Sequence, residues 1–373
     1  MTDILKTASN PEVRKILLLT NRLEDSPSGG REMLCKMNHD MLKDIYGDEF
    51  TVIELGKSPI RGVKSIVGAF KGYIDGLSNA SIATVLHEIQ RKGIGQVFVD
   101  GSNLGELVKV IKKKFPDVQV CTFFHNVESR FFLGALKQTK MPQALAVFLV
   151  NYLAERKSVR DSDKIICLNE RDSKLLQKVY RRKATHVSPM ALQDKVPAGL
   201  SLSVKNSTEK FALFVGGVFY ANQAGITWFV KNVAPYVNVK TCIVGRGFER
   251  LKGELEVAGK VEVIGEVDSL AQWYRDAHFV IAPIFDGSGM KTKVAEALMY
   301  GKKIIGTPEA FTGYEDIADQ AGRLCKSADE FIDAINDADE MAKAQCDLEL
   351  REIYEKRYSY EAAKARLEEI LAS

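Results

Sequence analysis

The stretch "FDGSGMKTKVAEALMYGKKIIGTP", residues 285–308, decides the fold class of the second half of the chain. It begins at the end of an apolar run, "FVIAPIF", which predicts a buried parallel strand. A glycine-rich turn, a helical pattern and a second apolar strand follow in that order. This succession is typical of a parallel sheet with helices packed on it.

The same alternation of strands and helices extends over most of the chain. In the first half, the apolar runs "KILLLT", "FTVIELG", "QVFVDG", "VQVCTFFHN" and "DKIICLN" predict strands, and helical patterns separate them. Residues 196–210 are polar and rich in turn formers, which indicates a linker, and the alternation restarts at "FALFVGG". The pattern predicts an α/β protein with two Rossmann-like, doubly wound domains.

We place the first domain at residues 1–198 and the second at residues 199–354. A charged amphipathic helix at about residues 355–373 is predicted to pack back on the first domain. Ligands of doubly wound folds bind outside the carboxyl ends of the strands, so we expect the two domains to face a central cleft.

Composition excludes several classes of protein. Of the 373 residues, 46% are hydrophobic and 27% charged, and the net charge of +3 is too small to indicate a nucleic-acid partner. Six cysteines without a CxxC pair indicate reduced thiols in the cytoplasm, and five histidines without HxxxH spacing predict no metal site. We expect no signal peptide, and the apolar run at residues 141–154 is too short to span a bilayer. It favours a buried or interfacial helix.

The opening stretch has the chemistry of an anion site. Gly287 and Gly289 allow the backbone to approach a ligand, and a helix predicted from Met290 would direct free amides and a positive dipole end toward it. Lys291 and Lys293 add positive charge, and a carboxylate at Glu296 is suited to the hydroxyls of a ribose. These features together indicate a nucleoside diphosphate. An alternative stays open, because such turns also occur without a ligand and the lysines could be solvated.

The segment "IAPIFDGSGMKTKVAEALMYGKKIIGTPEAFTGYE", residues 281–315, resembles the signature of retaining GT-B glycosyltransferases of the "group 1" family. "FALFVGGVFYANQAGITWFVKNVAP", residues 211–235, is similar to the start of that family's second domain. The first half resembles it more loosely, through "SGGRE", "FFHNVE" and "DKIICLNERDSKLL". The resemblance implies the GT-B fold and a hexosyl- or other glycosyltransferase, with polysaccharide biosynthesis as a typical setting.

The resemblance also implies roles for individual residues. Glu296 matches the second glutamate of the family's Glu-x7-Glu element and would hold the ribose, while His125 would line the donor-sugar pocket. The catalytic residues implied are His125, Lys291 and Lys293. For His125, a structural histidine with satisfied hydrogen bonds at a strand end is the alternative. The donor-binding residues implied are Gly29, Gly30, Gly217, Arg246, Gly265, Glu266, Val267, Asp286, Gly287, Ser288, Gly289, Met290, Lys291, Lys293 and Glu296.

The sequence departs from the family pattern at two places. Ser288 stands where the first glutamate of the Glu-x7-Glu element would fall, with Asp286 nearby at a different spacing. The segment "GGVFYANQ", which contains Gly217, has no arginine or lysine where many relatives carry both. Lys291, Lys293 and Arg246 would then neutralise the diphosphate. For Arg246, a solvated loop residue is the alternative.

We therefore expect transfer of a sugar, with retention and without a metal or other cofactor, from a nucleotide-sugar to a glycan, lipid-linked or glycoprotein acceptor. A UDP-sugar is favoured over a GDP-sugar as substrate. Two alternatives stay open. One is a non-catalytic subunit that supports a partner transferase, and the other is a nucleotide-sugar epimerase, for which only His125 offers acid–base chemistry.

The first half also carries a concentration of positive charge. Residues 130–186 contain thirteen lysines and arginines against five aspartates and glutamates, and residues 57–76 are basic and apolar. We hypothesise that these segments form a basic face that contacts either an anionic membrane, peripherally at its inner side, or a lipid-diphosphate acceptor. An ordinary solvated helix surface is the alternative.

Overall fold

The computed structural model describes residues 15–21, 23, 30–56, 63–139, 142–198, 202, 210–287, 289–342 and 344–373. The chain divides into two compact units. The first unit runs to Cys167 and adds Lys174–His186 and Ile370–Ser373, and the second contains Leu168–Ser173 and Val187–Glu369. Most of the predicted linker, including residues 199–201 and 203–209, lies outside the described residues. The domain bounds at residues 198 and 199 therefore stay a prediction.

The first sheet has six strands: β1 Ile16–Asn21, β2 Phe50–Leu55, β3 Gln96–Asp100, β4 Gln119–Phe124, β5 Lys164–Cys167 and β6 His186–Val187. Their order is β2-β1-β3-β4-β5-β6, and the pairs from β2 through β5 are parallel. All five residues of β3 are buried, as expected of a parallel strand covered on both faces.

The helices of this half are α1 Gly30–Tyr46, α2 Val63–Lys71, α3 Asn79–Lys92, α4 Gly105–Lys114, α5 Glu128–Thr139, α6 Pro142–Asp161 and α7 Glu170–Tyr180. Local sequence explains the bounds of α3. Ser78 and Ser81 form a capping box at its start, and Gly93, with φ +66°, ends it in the left-handed conformation. Ile82, Val85 and Ile89 form the buried stripe of this helix.

The second sheet also has six strands: β7 Phe211–Val215, β8 Lys240–Val244, β9 Val261–Gly265, β10 Phe279–Ala282, β11 Ile304–Gly306 and β12 Gly322–Leu324. Their order is β12-β11-β10-β7-β8-β9, and every neighbouring pair is parallel. β7 and β10 are buried throughout. The prediction of two doubly wound parallel sheets is confirmed.

The helices that follow are α8 Tyr220–Asn232, α9 Lys252–Leu255, α10 Ala271–Asp276, α11 Thr292–Met299, α12 Ala318–Ala321, α13 Ala328–Asn336, α14 Ala338–Met341, α15 Leu348–Arg357 and α16 Tyr360–Ala372. The prediction that a helix starts at Met290 is wrong by two residues. Gly289 has φ +65° and Lys291 is extended, with φ −93° and ψ 117°, so the helical conformation begins at Thr292. The first free amides of α11 are therefore those of Thr292 and Lys293.

The last turn of the chain is attached to the first sheet by side chains of two strands. Lys164 Nζ donates to the carbonyl of Ile370 over 2.6 Å, and Gln96 Nε2 donates to the carbonyl of Leu371 over 2.9 Å. The carbonyls at the end of α16 thus gain partners that a helix C-terminus otherwise lacks.

The apolar run around residues 141–154 forms most of α6, and it is only partly covered. Leu145, Val147 and Leu149 are more than one third exposed, whereas Val150 and Ala154 are buried. In the part of the chain that the structure describes, no helix combines the length and apolar character needed to cross a bilayer.

Candidate functional site

The second sheet has a topological switch point between β7 and β10. The chain leaves β7 toward β8 on one side of the sheet and leaves β10 toward β11 on the other. Loops diverge at such a point and leave a crevice outside the carboxyl ends of the strands. The loop after β7, which begins with Gly216 and Gly217, and the loop from Pro283 to α11 both start there.

Backbone packing at this edge requires glycine. Gly245, after β8, has φ +151°, and a Cβ on it would lie 1.9 Å from the carbonyl oxygen of Gly216. Gly287, in the loop after β10, has φ +138°, which side-chain-bearing residues rarely adopt. A larger residue at Gly245 would push apart the loops that follow β7 and β8.

Lys293 is a buried amine at this edge whose contacts are uncharged. Its Nζ donates to Asn222 Oδ1 over 2.9 Å and lies 4.4 Å from the ring centre of Phe214. The amine is also close to the backbone after β7, since a Cβ on Gly216 would lie 3.4 Å from it. Burial lowers the pKa of Lys293 to about 7, although Glu296 opposes the shift. Among the described residues, no carboxylate lies within ion-pair distance of this amine.

Asn222 holds the Lys293 amine and was missed by the sequence interpretation. It lies in the first turn of α8, and its Nδ2 donates to the carbonyl of Gly217 over 2.9 Å. That bond orients Oδ1 toward the lysine. The segment "GGVFYANQ", noted for its lack of cations, thus supplies the partner of a cation from α11.

Lys291, two residues earlier, is differently placed. Its Nζ contacts Glu309 Oε1 at 3.1 Å and donates to the carbonyl of Gly289 over 3.0 Å. The second oxygen of Glu309 accepts from Arg171 Nη1 over 2.8 Å, and Arg171 also bonds Thr312. Burial lowers the pKa of Lys291, and the charge of Glu309 opposes part of that shift. Neither Glu309 nor Arg171 was predicted as a site residue.

Glu296 lies one turn into α11 and is half-buried. Its Oε2 accepts a hydrogen bond of 2.8 Å from the hydroxyl of Tyr274, which is fully buried on α10 and stacked on Tyr300. Burial, together with the neighbouring carboxylate, raises the pKa of Tyr274 well above its ordinary value. Among the described residues, Tyr274 is the protein hydrogen-bond partner of this carboxylate, which leaves acceptor capacity for a ligand.

The loops after β8 and β9 contribute mainly backbone to this edge. Val218 N donates to the carbonyl of Arg246 over 3.0 Å, and Gly245 N donates to the carbonyl of Gly265 over 2.7 Å. The side chains of Arg246 and Glu266 are exposed, and Val267 is half-buried.

The remaining predicted residues of the second unit differ in their contacts. Asp286 is exposed, and its Oδ1 accepts a hydrogen bond of 2.7 Å from the backbone N of the next residue, Gly287. Met290 is buried, and its sulfur accepts from Met190 N over 3.5 Å. Ser288 lies outside the described residues.

In the first unit, His125 belongs to a buried polar network at the carboxyl ends of β1, β3 and β4. His125 Nε2 lies 2.7 Å from Asp100 Oδ1, and Asp100 also accepts from Thr20 and Asn38 over 2.9 Å each. Burial alone would raise the pKa of Asp100, but His125 and the hydrogen bonds lower it to about 2. Gly30 is the first residue of α1, and Gly29 lies outside the described residues.

Cys35 completes this network. Ligand-type atoms of Cys35, Asp100 and His125 lie within 4.8 Å of one another, a spacing that metal ligands can have. Burial raises the pKa of Cys35, and the charge of Asp100 adds to the shift, so the thiol stays protonated. Hydrogen bonding to Asp100 accounts for the arrangement.

Residues 209–340, which include the whole second sheet, match the protein family described as "Glycosyl transferases group 1". No match was found among curated proteins. The fold is similar to several solved structures over nearly their whole length. A sucrose-phosphate synthase from Thermosynechococcus elongatus aligns with a TM-score of 0.71 and 15% identity, covering 96% of this chain and 98% of that one.

Two further structures align equally completely. HepE from Anabaena, solved in complex with UDP, has a TM-score of 0.66 and 13% identity over 96% of this chain and 99% of its own. WaaG, a glycosyltransferase involved in lipopolysaccharide biosynthesis, has a TM-score of 0.63 and 14% identity over 95% and 99%. At these identities the likeness establishes the fold, and the GT-B prediction is confirmed.

Proposed function

We propose that this protein is a glycosyltransferase that moves a sugar from a nucleotide-diphosphate donor to a hydroxylated acceptor. One observation carries the proposal. The Lys293 amine is buried at the switch point of the second sheet, is bonded to an uncharged amide and has no carboxylate partner among the described residues. A buried cation without a counter-charge is costly, and a bound anion removes that cost.

The surroundings of Lys293 favour a nucleoside diphosphate as this anion. The glycine-rich backbone after β7 and β10 allows phosphate oxygens to approach, and the first amides of α11 are free to donate to them. Glu296, one turn further along α11, is suited to the ribose, and the backbone around Gly265 to the base. We propose UDP rather than GDP, which agrees with the UDP and UDP-glucose complexes of HepE.

The proposed chemistry follows from charge development. When the bond between the sugar and the diphosphate breaks, negative charge grows on the leaving oxygen, and a fixed cation stabilises this charge more in the transition state than in the ground state. Lys293 supplies that cation, and Lys291 adds to it. We further propose that the anomeric configuration is retained and that lysines, not a bound metal, neutralise the leaving group, as the family resemblance implies.

The experiment is calorimetry with UDP, GDP and UDP-glucose, followed by an assay for slow UDP release from UDP-glucose. We expect UDP to bind more tightly than GDP. We also expect the protein to release UDP slowly from UDP-glucose. Binding without release would favour the non-catalytic alternative. The absence of binding to every nucleotide and nucleotide-sugar tested would contradict the proposal.

A second proposal concerns the setting of the acceptor. On α2, the side chains of Ile66, Val67 and Phe70 are between 42% and 58% exposed, and α6, which contacts α2, exposes Leu145 and Val147. Residues 130–186 carry eight more positive than negative charges, by the count of thirteen against five. We propose that this surface contacts an anionic membrane from the cytoplasmic side and gives access to lipid-linked acceptors.

Sedimentation with liposomes tests the membrane proposal. We expect binding to vesicles that contain phosphatidylglycerol at low salt, weaker binding at high salt, and loss of binding in Phe70→Ser. Equal recovery with anionic and neutral vesicles would contradict it.

A further inference from the structure

Arg171, in the first turn of α7, is hydrogen-bonded through one part of its guanidinium group only. Its Nη1 donates to Glu309 Oε2 over 2.8 Å and to Thr312 Oγ1 over 2.9 Å. Its Nε and Nη2 are buried and have no hydrogen-bond partner among the described residues. Buried donors are nearly always paired, because an unpaired one loses its hydration without compensation. These two nitrogens therefore require an explanation.

Nε and Nη2, which we call the fork, are the side of a guanidinium that binds two oxygens at once. Their N–H groups are parallel and match two oxygens of a carboxylate or a phosphate. Arg91, Arg160 and Arg275 each use the fork to hold both oxygens of a neighbouring carboxylate. The nearest such group to the fork of Arg171 in the described part of the chain is Asp172. Its Oδ1 lies 3.8 Å from Nε, within ion-pair distance but too far for a hydrogen bond.

The two carboxylates next to Arg171 are held by other partners. Asp172 Oδ2 accepts from Asn169 Nδ2 over 3.1 Å, and Asp172 N donates to Asn169 Oδ1 over 2.8 Å. Glu309 uses one oxygen for Arg171 Nη1, and its other oxygen contacts Lys291 Nζ at 3.1 Å. Neither carboxylate can bond the fork without losing a contact that it already has.

The fork lies at one end of a row of three cations in the second unit. Burial lowers the pKa of Lys291, and the positive charge of Arg171 adds to the shift. Burial also lowers the pKa of Lys293, to which the charge of Lys291 adds. Each charge thus acts on the next, from Lys293 at the switch point to Arg171. The first residues of α7, including Arg171, belong to the second unit, although the rest of this helix belongs to the first.

The position of the fork is fixed before any ligand binds. The bonds to Glu309 and Thr312 orient the guanidinium, and a group that is ordered in advance loses little freedom on binding. The side chain of Arg171 is 25% exposed, so it lies directly beneath the surface. A small movement of the residues above the fork is sufficient to uncover it.

We propose that the fork of Arg171 binds two oxygens of a phosphate group, next to the diphosphate site around Lys293. Arg171 thus supplies, from a distant part of the sequence, a cation that the segment after β7 lacks. This inference rests on the proposed function, because it assigns the phosphate to a ligand of the same reaction. The phosphate has two possible sources, the diphosphate of the donor and an acceptor with a phosphate of its own. The experiment distinguishes them.

The central variant is Arg171→Lys, which keeps a positive charge beside Glu309 and removes the fork. We expect the affinity for the phosphate-bearing ligand to fall about tenfold or more, the effect of lost hydrogen bonds to a charged group. The Tm should change by no more than about 2 °C, because the fork bonds no acceptor within the protein.

The matched control is Arg275→Lys in the same unit. The fork of Arg275 holds the two oxygens of Asp276 over 2.7 and 2.9 Å, and its side chain is 8% exposed. This variant should lower the Tm and leave ligand binding unchanged. Thr312→Val provides a second test, because it keeps Arg171 and removes one of the two bonds that orient it. We expect this variant to weaken binding of the same ligand about threefold.

Two titrations identify the ligand that carries the phosphate. Calorimetry first measures UDP, and then measures inorganic phosphate added to protein saturated with UDP, whose diphosphate occupies the site around Lys293. A tenfold loss of UDP affinity in Arg171→Lys assigns the fork to the donor. Unchanged UDP affinity with loss of phosphate binding assigns the fork to the acceptor.

The proposal is overturned if UDP affinity is unchanged in Arg171→Lys and phosphate binding is either absent from the parent or equal in both proteins. It is equally overturned if Arg171→Lys loses as much Tm as Arg275→Lys, because the fork would then have a partner within the protein. Neither result affects the proposed function if the parent still binds UDP and releases it from UDP-glucose. A parent that binds no UDP, but binds phosphate more tightly than Arg171→Lys does, would contradict the proposed function and support the phosphate site, so the two failures are distinguishable.

Discussion

The two sheets present different chemistry at the same position of the same topology. Each has a switch point at its carboxyl edge, one between β1 and β3 and the other between β7 and β10. In the first unit, the Asp100 carboxylate at this edge contacts His125, Thr20 and Asn38, and the buried amide oxygens of Asn103 and Asn126 have no hydrogen-bond partner among the described residues. In the described part of the second unit, the buried amine of Lys293 has no carboxylate within ion-pair distance and is bonded to the amide of Asn222.

This difference indicates which ligand each edge is suited to. An uncompensated buried cation favours an anion, whereas neutral acceptors favour hydroxyls. Topology therefore gives each unit a crevice where a ligand could bind, and a few side chains determine which chemical class of ligand would suit it. The predictions below change one side chain of this contrast at a time.

The largest effect is expected for Lys293→Met, which removes the uncompensated cation and keeps the side-chain volume. We predict that UDP release from UDP-glucose falls about 100-fold, since one lost contact to developing charge costs roughly 3 kcal/mol. The free energy of unfolding should not decrease, because the cost of burying the amine disappears with it. Steady-state kinetics and thermal denaturation measure the two effects.

Lys240→Met is the control for this variant, because Lys240 lies at the start of β8 and pairs with Glu262 over 2.6 Å. Its rate of UDP release should stay within about twofold of the parent, as expected for a surface ion pair. Equal rates in Lys293→Met and the parent would contradict the anion site.

A smaller loss is expected for Glu296→Ala. If this carboxylate holds the ribose, UDP affinity should fall by about ten- to thirtyfold, corresponding to roughly 1.5–2 kcal/mol for a hydrogen bond to a charged group. Inorganic pyrophosphate, which has no ribose, should bind the variant and the parent equally. Calorimetry with both ligands makes the comparison.

Tyr274→Phe distinguishes a ribose contact from a structural effect, since it removes only the internal hydrogen bond of Glu296. We expect UDP affinity to be retained in Tyr274→Phe. A loss as large as that in Glu296→Ala would indicate that Tyr274 positions the carboxylate, and unchanged binding in both would oppose the ribose assignment.

The pH dependence of stability should differ between the two units. The pKa of Lys293 falls from its ordinary 10.5 to about 7, so between these values the unfolded chain binds more protons and the free energy of unfolding rises with pH. In the first unit, burial raises the pKa of Glu128 from 4.5 to about 7. The folded chain therefore binds more protons between pH 4.5 and 7, and its contribution falls as pH rises.

Thermal denaturation across pH 4–10 tests both contributions. Lys293→Met should flatten the rise above pH 7, and Glu128→Gln should flatten the fall below it, each slope being at most about 1.4 kcal/mol per pH unit. UDP affinity should decline above pH 7 in the parent, because the anion requires a protonated Lys293. Persistence of both slopes in both variants would contradict the assignments.

The sequence predicts the fold well because local patterns suffice for it. Alternating apolar runs and helical patterns identify both parallel sheets, and the glycine-rich turn before α11 locates the carboxyl edge of the second sheet. The start of α11 is missed by two residues, because the conformations of Gly289 and Lys291 are set by packing and not by propensity.

The partners of the site residues could not be predicted, since they come from distant parts of the chain. Asn222 is 71 residues from Lys293, and Arg171 is 138 residues from Glu309. One signal was available, an asparagine in the first turn of α8, a helix that begins three residues after the glycine pair that follows β7. The sequence indicates that Lys291 and Lys293 lie near an anion site. It cannot indicate that Lys291 already forms an ion pair with Glu309.

The smallest expected effect concerns that second lysine. Glu309 already pairs with Lys291, so Lys291→Met should lower UDP affinity only about threefold, well below the effect of Lys293→Met. Glu309→Gln should act in the opposite direction and raise UDP affinity a few-fold, because it releases the charge of Lys291. Calorimetry of the two single variants and of their combination measures the coupling.

If Lys291 acts through the charge that Glu309 masks, the gain from Glu309→Gln should vanish once Lys291 is replaced, so the two changes will not be additive. Additive effects would mean that Glu309 influences UDP through Arg171 instead. An effect of Lys291→Met as large as that of Lys293→Met would contradict this interpretation. The two lysines would then contribute equally to UDP binding, although only Lys291 pairs with Glu309.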